Sequence, residues 1–257
     1  MTLQYRVAGK VAIITFNRPP ANAYNLAFFE QLLALINQAE DNGDVGCIII
    51  NSSSEKFFCA GADIKEFQAN STADNQLMVD KARETLAALD NCSKLVIAEI
   101  AGHALGGGLE IALACDLRFV AEGRYRFGLP EIKLGLMPGD GGTQRFTRLV
   151  GVAKALEWLA SGDSFSVEQA EHMGLVNRVY PAEQLSQATL EYAQSVAKGP
   201  LLALKATKQA VYQGAALPLA EGLKVEQQLC DALYDTEDAK EGFLAFVEKR
   251  EPRFQGK

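Results

Sequence analysis

The chain has 257 residues, of which 48% are hydrophobic and 22% are charged, and its formal net charge is −7. A chain of this length buries roughly three quarters of its unfolded surface, so a hydrophobic core is enough to fold it. The composition excludes general disorder, which requires low hydrophobicity and high net charge. The acidic balance argues against nucleic-acid binding, because such proteins need basic surface to neutralise phosphates. The longest apolar runs, such as residues 11–16, are far shorter than the ~20 residues that cross a bilayer, so we predict no membrane partner.

The N-terminus and the cysteines predict a reduced, cytoplasmic protein. Residues 1–6 carry no apolar stretch behind a basic start, so we expect no secretory signal. The cysteines are Cys47, Cys59, Cys92, Cys115 and Cys230. Their odd number and the lack of CxxC spacing argue against a disulfide framework or a zinc site, and we predict no metal. We interpret all of them as reduced residues in apolar surroundings, and for Cys59 this is favoured over a catalytic thiol because Phe57 and Phe58 adjoin it.

The first half of the chain alternates strands and helices. Predicted strands are residues 3–7, 11–16, 47–50 and 95–100, and predicted helices are residues 26–39, 78–89 and 109–114. The first two strands flank a short turn that suits a hairpin. The solid apolar run at 47–50 is typical of a strand buried on both faces. This alternation predicts an α/β fold with a largely parallel core.

Beyond about residue 150 the pattern becomes mostly helical. Helix-compatible stripes cover residues 156–159, 167–170, 185–197, 200–212, 219–233 and 237–247, and one short strand is predicted at 175–179. We predict a core at residues 1–195 and a C-terminal helical region at residues 196–257 that packs on the core or on a neighbouring subunit. No low-complexity linker separates the two regions.

Three segments between predicted strands and helices concentrate glycines and carboxylates. They are residues 57–65, 101–110 and 127–143. In the first, Ala60-Gly61-Ala62 allows close approach to backbone amides, although a tight turn with Asp63 as a helix cap is the favoured explanation of this segment taken alone. In the second, consecutive glycines bare the amides of a helix start, where the dipole favours negative charge. This second segment matches neither a P-loop nor the GxGxxG fingerprint.

Glu110 and Glu131 are the candidate acid–base pair. Glu110 stands in the first turn of an otherwise apolar helix, where it can also simply satisfy the helix dipole. Pro130 and the surrounding glycines rule out one continuous helix, so the chain must fold back and can bring the two carboxylates together. Two carboxylates around one water supply a general base and a general acid, and amides at a helix start stabilise an enolate oxygen. The pattern therefore indicates proton chemistry next to a carbonyl, and we interpret His103 and His172 as structural.

These motifs resemble those of the enoyl-CoA hydratase/isomerase (crotonase) family. The resemblance rests on residues 17–19, 58–63, 104–110, 127–131 and 138–145, and it continues to residue 250. It implies a crotonase-like spiral of ββα units followed by a C-terminal helical trimerisation region, assembled as a homotrimer or as a dimer of trimers. It implies an acyl-CoA thioester substrate and no separate cofactor, because coenzyme A is part of the substrate.

The resemblance also implies residue roles. The amides of Ala60 and Gly107 would form the oxyanion hole. Substrate contacts would come from Ala60, Gly61, Ala62, Asp63, Ile64 and Gly107, with Ala62 and Ile64 near the adenine end. Glu110 and Glu131 match the two glutamates that hold and activate water in hydratases. Water would then add syn across a trans-2-enoyl-CoA to give a 3-hydroxyacyl-CoA.

Other members of the family remain as alternatives at the sequence level. Among enzymes, the alternatives are an enoyl-CoA isomerase and a bifunctional hydratase/isomerase. Outside enzymes, they are an RNA-binding member and a non-catalytic assembly subunit. The presence of both glutamates favours a hydratase. The chain departs from the pattern at Tyr24, where Leu is more usual, and in residues 121–126, which are about one residue longer. Lys56, Lys65, Lys205 and Lys208 are candidates for contacts with the phosphates of coenzyme A.

Overall fold

The computed structural model describes residues 2–257, which form two sheets surrounded by helices. The strands are β1 (Leu3–Ala8), β2 (Val11–Phe16), β3 (Cys47–Ser52), β4 (Phe57–Cys59), β5 (Leu95–Ile100), β6 (His103–Leu105), β7 (Leu117–Ala121), β8 (Phe127–Gly128) and β9 (Arg178–Tyr180). The helices are α1 (Leu26–Asp41), α2 (Ile64–Ala69), α3 (Thr72–Asn91), α4 (Gly107–Ala114), α5 (Gly142–Val150), α6 (Val152–Ser161), α7 (Val167–His172), α8 (Ala182–Ala197), α9 (Leu201–Ala215), α10 (Leu219–Asp231) and α11 (Glu237–Glu248), and a 3-10 helix covers Glu131–Leu134. No helix in residues 2–257 is long and apolar enough to cross a membrane.

The larger sheet has six strands in the order β1-β2-β3-β5-β7-β9. β1 and β2 form the predicted antiparallel hairpin, and every other neighbouring pair is parallel. β3 is buried on both faces, as its apolar run predicts: Ile48 and Ile50 pack on the side of α1 and α3, and Ile49 packs on the side of α8. This two-sided burial explains why β3 shows a continuous apolar run in place of alternation.

The smaller sheet consists of three short parallel strands in the order β4-β6-β8. Each follows a strand of the larger sheet and precedes a helix, so the chain repeats a unit of strand, strand and helix in β3-β4-α2, β5-β6-α4 and β7-β8 with the 3-10 helix. Gly102 is needed at one crossing, because a side chain there would lie 2.7 Å from the backbone of Phe57 and Phe58. The predicted α/β fold of ββα units followed by helices is thereby confirmed.

The C-terminal helices begin with α8, which covers one face of the larger sheet. The predicted boundary after residue 195 falls inside α8, which ends at Ala197. α9 and α10 then pack against each other, and α10 and α11 leave several large apolar side chains exposed. These are Leu219, Leu223, Phe243, Leu244, Phe246 and Val247.

The predicted strand at residues 175–179 is wrong in its first half. The chain pairs with β7 only from Arg178 to Tyr180. The amide of Leu175 instead donates to Ala170 at the end of α7, and the carbonyl of Leu175 accepts from the side chain of Arg118 at 2.7 Å. These bonds occupy the backbone before β9 begins, so the apolar residues are buried without being a strand.

Candidate active site

Three segments meet at one edge of the smaller sheet. Residues 60–63 follow β4, Gly106 and Gly107 follow β6, and residues 129–131 follow β8. Because the three strands are parallel, their carboxyl ends lie at the same edge, where ligands bind in open α/β sheets. The structure therefore brings together the three segments that the sequence singled out.

The turn after β4 presents a free amide at Ala62, whereas the predicted amide of Ala60 is occupied. The N–H of Ala60 donates to the carbonyl of Ala21 at 3.1 Å, so the prediction that it serves an oxyanion hole is wrong. The turn pairs with Tyr24: the Tyr24 N–H donates to Gly61, and the Asp63 N–H donates to Tyr24, each at 2.9 Å. The N–H of Ala62 lies between these bonds and has no acceptor within residues 2–257.

The start of α4 presents a second free amide. Gly106 precedes the helix with a φ of 55°, which favours glycine, and Gly107 is the first helical residue, as predicted. The N–H of Gly107 has no acceptor in the described part of the chain. Gly61 lies beside it, since a Cβ atom added at Gly61 would be 3.5 Å from the Gly107 nitrogen. The amides of Ala62 and Gly107 thus belong to neighbouring backbone turns at the positive end of a helix dipole.

Glu110 lies in the first turn of α4 and is 2% exposed. Its Oε1 accepts hydrogen bonds from the backbone N–H groups of Asp140 at 2.9 Å and Gly142 at 2.7 Å. Burial raises the pKa of Glu110 to about 7, although these two bonds favour the ionised form. One carboxylate oxygen is therefore fixed by the backbone, and the group can exchange a proton near neutral pH.

Glu131 is the first residue of the 3-10 helix, directly after Pro130. Its Oε1 lies close to Gly106, since a Cβ atom added at Gly106 would be 2.9 Å from this oxygen. Its Oε2 is buried and has no hydrogen-bond partner in residues 2–257. Burial raises the pKa of Glu131, and the charge of Asp140 raises it further. The charge of Glu131 in turn raises the pKa of Glu110. Both glutamates lie at this edge of the smaller sheet, and their role as an acid–base pair stays a prediction.

Asp63 and Ile64 differ in their freedom to meet a ligand. The carboxylate of Asp63 caps α2 by accepting from the Glu66 N–H at 3.4 Å, and it pairs with Arg18 at 3.0 Å. The bond from Arg18 lowers the pKa of Asp63, so this carboxylate is ionised and already used. Ile64 is 54% exposed at the start of α2.

The four candidate lysines do not share one environment. Lys56, Lys65 and Lys205 are exposed. The ammonium group of Lys208 is buried and pairs with Asp116 at 2.8 Å while also donating to the carbonyl of Lys94. The candidacy of Lys208 as a phosphate contact is therefore wrong, because α9 holds this side chain against the core.

Four of the cysteines, Cys47, Cys59, Cys92 and Cys115, are buried, as their interpretation predicts. Cys59 is buried, its thiol donates to the carbonyl of Asn22, and burial raises the pKa of that thiol to about 12. Cys230 is exposed, so it does not lie in apolar surroundings. His103 accepts from the backbone N–H of Arg126 and holds the turn into β8. No group of His, Cys, Asp and Glu side chains in the described residues is arranged to hold a metal ion.

Two further side chains of the site are Tyr24 and Asp140. The Tyr24 hydroxyl fills the space beside the α-carbon of Gly107 and lies 3.5 Å from Oδ2 of Asp140. Burial, followed by the charge of Glu110, raises the pKa of Asp140 to about 7. In the sequence, Tyr24 stands out only as a departure from the family pattern, and Asp140 does not stand out. The sequence feature that could have pointed to Asp140 is its position as a lone carboxylate in the run Gly139-Asp140-Gly141-Gly142 before a helix.

The site thus combines buried carboxyl groups with free backbone amides at one edge of a parallel sheet. Comparison with known proteins identifies the family to which the chain belongs. Residues 6–257 match the family model for enoyl-CoA hydratase/isomerase. A probable enoyl-CoA hydratase of Rhizobium meliloti is 42% identical over 99% of this chain and 98% of its own length. The 2,3-dehydroadipyl-CoA hydratase of Escherichia coli is 41% identical over 96% of each chain. A crystal structure of an enoyl-CoA hydratase from Bacillus anthracis superimposes with a TM-score of 0.97 at 36% identity and covers 100% of both chains. The chain belongs to the enoyl-CoA hydratase/isomerase family.

Proposed function

We propose that this protein is an enoyl-CoA hydratase that adds water syn across a trans-2-enoyl-CoA to give a 3-hydroxyacyl-CoA. The observation that carries the proposal is that Glu110, in the first turn of α4, and Glu131, beside Gly106, lie at the same sheet edge as the free N–H groups of Ala62 and Gly107. A hydratase needs both parts: carboxyl groups to move protons, and donors for the oxygen that gains charge.

The two amides serve the thioester oxygen. When water attacks C3 of the enoyl group, electrons move through C2 to that oxygen, and the N–H groups of Ala62 and Gly107 stabilise the resulting enolate. Each donor of this kind contributes roughly 3–4 kcal/mol in measured oxyanion holes. The dipole of α4, which begins at Gly107, acts in the same direction.

The two glutamates serve the water and C2. Glu110 has one oxygen fixed by backbone N–H groups, so its other oxygen is oriented to hold water. A carboxylate takes a proton as the water oxygen bonds to C3, and a carboxyl group delivers a proton to C2. No proton is gained or lost by the pair over the full cycle, which fits groups whose pKa is raised toward neutrality.

The turn after β4 is proposed to bind the rest of the substrate. Gly61, Ala62 and Ile64 offer backbone and apolar contacts, while Ala60 and Asp63 contribute by holding the turn, since their polar groups are occupied. We propose exposed Lys56, Lys65 and Lys205 as the remaining candidates for the phosphates of coenzyme A. No separate cofactor takes part in this reaction, because coenzyme A enters with the substrate.

We propose that residues 196–257 form an oligomerisation region attached to the core at residues 1–195, and that the protein is a homotrimer or a dimer of trimers. The exposed apolar side chains of α10 and α11 support this, because a surface of such residues marks an interaction site. The unpaired cysteines support a reducing, cytoplasmic location.

The test is a spectrophotometric assay with crotonyl-CoA that follows loss of the conjugated enoyl-thioester absorbance. Rapid loss with 3-hydroxybutyryl-CoA as product supports the hydratase. A second substrate, 2,3-dehydroadipyl-CoA, examines whether the chain shares the acyl preference named for the relative from Escherichia coli. Turnover of a 3-enoyl-CoA without hydration of either compound would identify an isomerase and contradict the proposal.

A further inference from the structure

Asp140 adds a third carboxyl group to a site in which the proposed hydration uses two. It is 6% exposed, and its Oδ1 is buried without a hydrogen-bond partner in residues 2–257. Its backbone N–H donates to Oε1 of Glu110 at 2.9 Å. A buried carboxylate with an unpaired oxygen is costly in the ionised form, so this group needs either a cation or a proton.

Two arginines lie near Asp140, but their hydrogen bonds go elsewhere. Arg83 on α3 donates to the carbonyl of Gly139 at 3.0 Å. Arg145 on α5 donates to the backbone carbonyl of Asp140 at 2.9 Å and pairs with Asp90 at 2.5 Å. Both favour the ionised form of Asp140 only through space. Its carboxyl group therefore has no ion pair in the described residues.

The groups that face Asp140 from the site are acidic. Glu110 on α4 raises its pKa, and Asp140 raises the pKa of Glu131 on the 3-10 helix. The Tyr24 hydroxyl lies 3.5 Å from Oδ2. Burial and the neighbouring carboxylates raise the pKa of Tyr24 well above its usual value, so this hydroxyl is a donor at neutral pH.

We propose that Asp140 is a positioning residue that shares a proton with Glu110 and so keeps one carboxyl group of the site protonated at neutral pH. Like charges in one buried site cannot all ionise, and a third negative charge strengthens the hold on the remaining proton. The shared proton is not consumed in the reaction. The role of Tyr24 is to hold the Asp140 carboxyl in place through its hydroxyl.

This inference rests on the proposed function only for its kinetic readout, which is the pH profile of kcat/KM for hydration. Asp140→Asn keeps the shape and removes the charge, so both limbs of the profile should move to lower pH by about one unit. Tyr24→Phe should move them in the same direction by less, because Asp140 then keeps its own proton to higher pH. Asp163→Asn, which removes an exposed carboxylate paired with Lys133 of the 3-10 helix, is the matched control and should leave the profile in place.

A second readout needs no turnover: NMR titration of protein carrying ¹³C in the glutamate side-chain carboxyls. The Glu110 resonance is assigned by its loss in Glu110→Gln. Its midpoint should fall in Asp140→Asn and, to a smaller extent, in Tyr24→Phe, which also serves if Asp140→Asn does not fold. A falling midpoint in a protein that hydrates neither crotonyl-CoA nor 2,3-dehydroadipyl-CoA would remove the proposed function and leave proton sharing intact. An unchanged midpoint and unchanged pH limbs in a working hydratase would overturn the sharing.

Discussion

The edge of the smaller sheet and the C-terminal helices differ in what one chain can complete. At the sheet edge, buried backbone and carboxylate groups are held from within the chain, as the two N–H groups on Glu110 illustrate. On α10 and α11, Leu219 and Val247 are each 78% exposed and Phe246 is 85% exposed. The N–H groups on Glu110 come from within the chain, whereas α10 and α11 leave large apolar side chains exposed.

The two regions also depend on different physical properties of their residues. The site depends on the direction of individual N–H groups and carboxyl oxygens, which change with the rotation of a single peptide. The helical region depends on apolar area, to which many side chains contribute additively and without strict direction. Substitutions should accordingly affect activity sharply in one region and assembly gradually in the other.

The largest effect is expected from Glu110→Gln and Glu131→Gln. Glutamine preserves the shape and, at position 110, an oxygen that accepts from Asp140 and Gly142, but it cannot transfer a proton. Each variant should fold normally and lose about 10²–10⁴-fold in kcat for crotonyl-CoA hydration. Glu157→Gln on the exposed face of α6 is the control, and near-wild-type turnover in either site variant would refute the catalytic pair.

The next largest effect concerns the attachment of the C-terminal helices to the core. Lys208 of α9 and Asp116 before β7 are 6% and 7% exposed in their side chains and lie 2.8 Å apart. Lys208→Met leaves the Asp116 charge buried and should lower the free energy of unfolding by about 3–5 kcal/mol. Urea denaturation measures this loss, and Lys205→Met, on the exposed side of the same helix, should differ from wild type by less than about 0.5 kcal/mol. Equal midpoints for the two variants would show that the ion pair does not fasten α9.

A smaller effect is expected from Phe246→Asp on α11. Removal of a large apolar side chain from a subunit interface should weaken association by about 2 kcal/mol, close to thirtyfold in the dissociation constant. Sedimentation equilibrium measures this change. Gln184→Asp on the exposed start of α8 is the control, because an acidic residue suits a helix N-terminus. Identical association of both variants would place the interface elsewhere.

The smallest effect is the pH dependence of stability at the site. Burial and Glu110 raise the pKa of Asp140 from 3.8 to about 7, so the folded state binds more protons than the unfolded state between these values. The free energy of unfolding should therefore fall as the pH rises through this range. Asp140→Asn should therefore lose less stability than wild type between about pH 4 and pH 8, which denaturation at each pH measures. Parallel curves for the two proteins would contradict the shift.

Part of this architecture was predictable because its signals are local. The hairpin of β1 and β2, the helix start at Gly107 and the two glutamates each follow from a short stretch of residues. The strands of the smaller sheet escaped prediction because β4, β6 and β8 have only three, three and two residues. Strands of that length carry no measurable hydrophobic period.

The sequence by itself determined the α/β alternation and the glycines before α4, and it singled out Glu110 and Glu131 as candidate site residues. All of these depend on residue type and spacing. Only the tertiary structure decided that the free amide is that of Ala62 and not that of Ala60, because Ala21 and Tyr24 pair with the turn from outside it. It also decided that Lys208 is buried and that Asp140 joins the site. In each case the deciding partner is distant along the chain, so the direction of an N–H group or the exposure of a charge has no counterpart in local sequence.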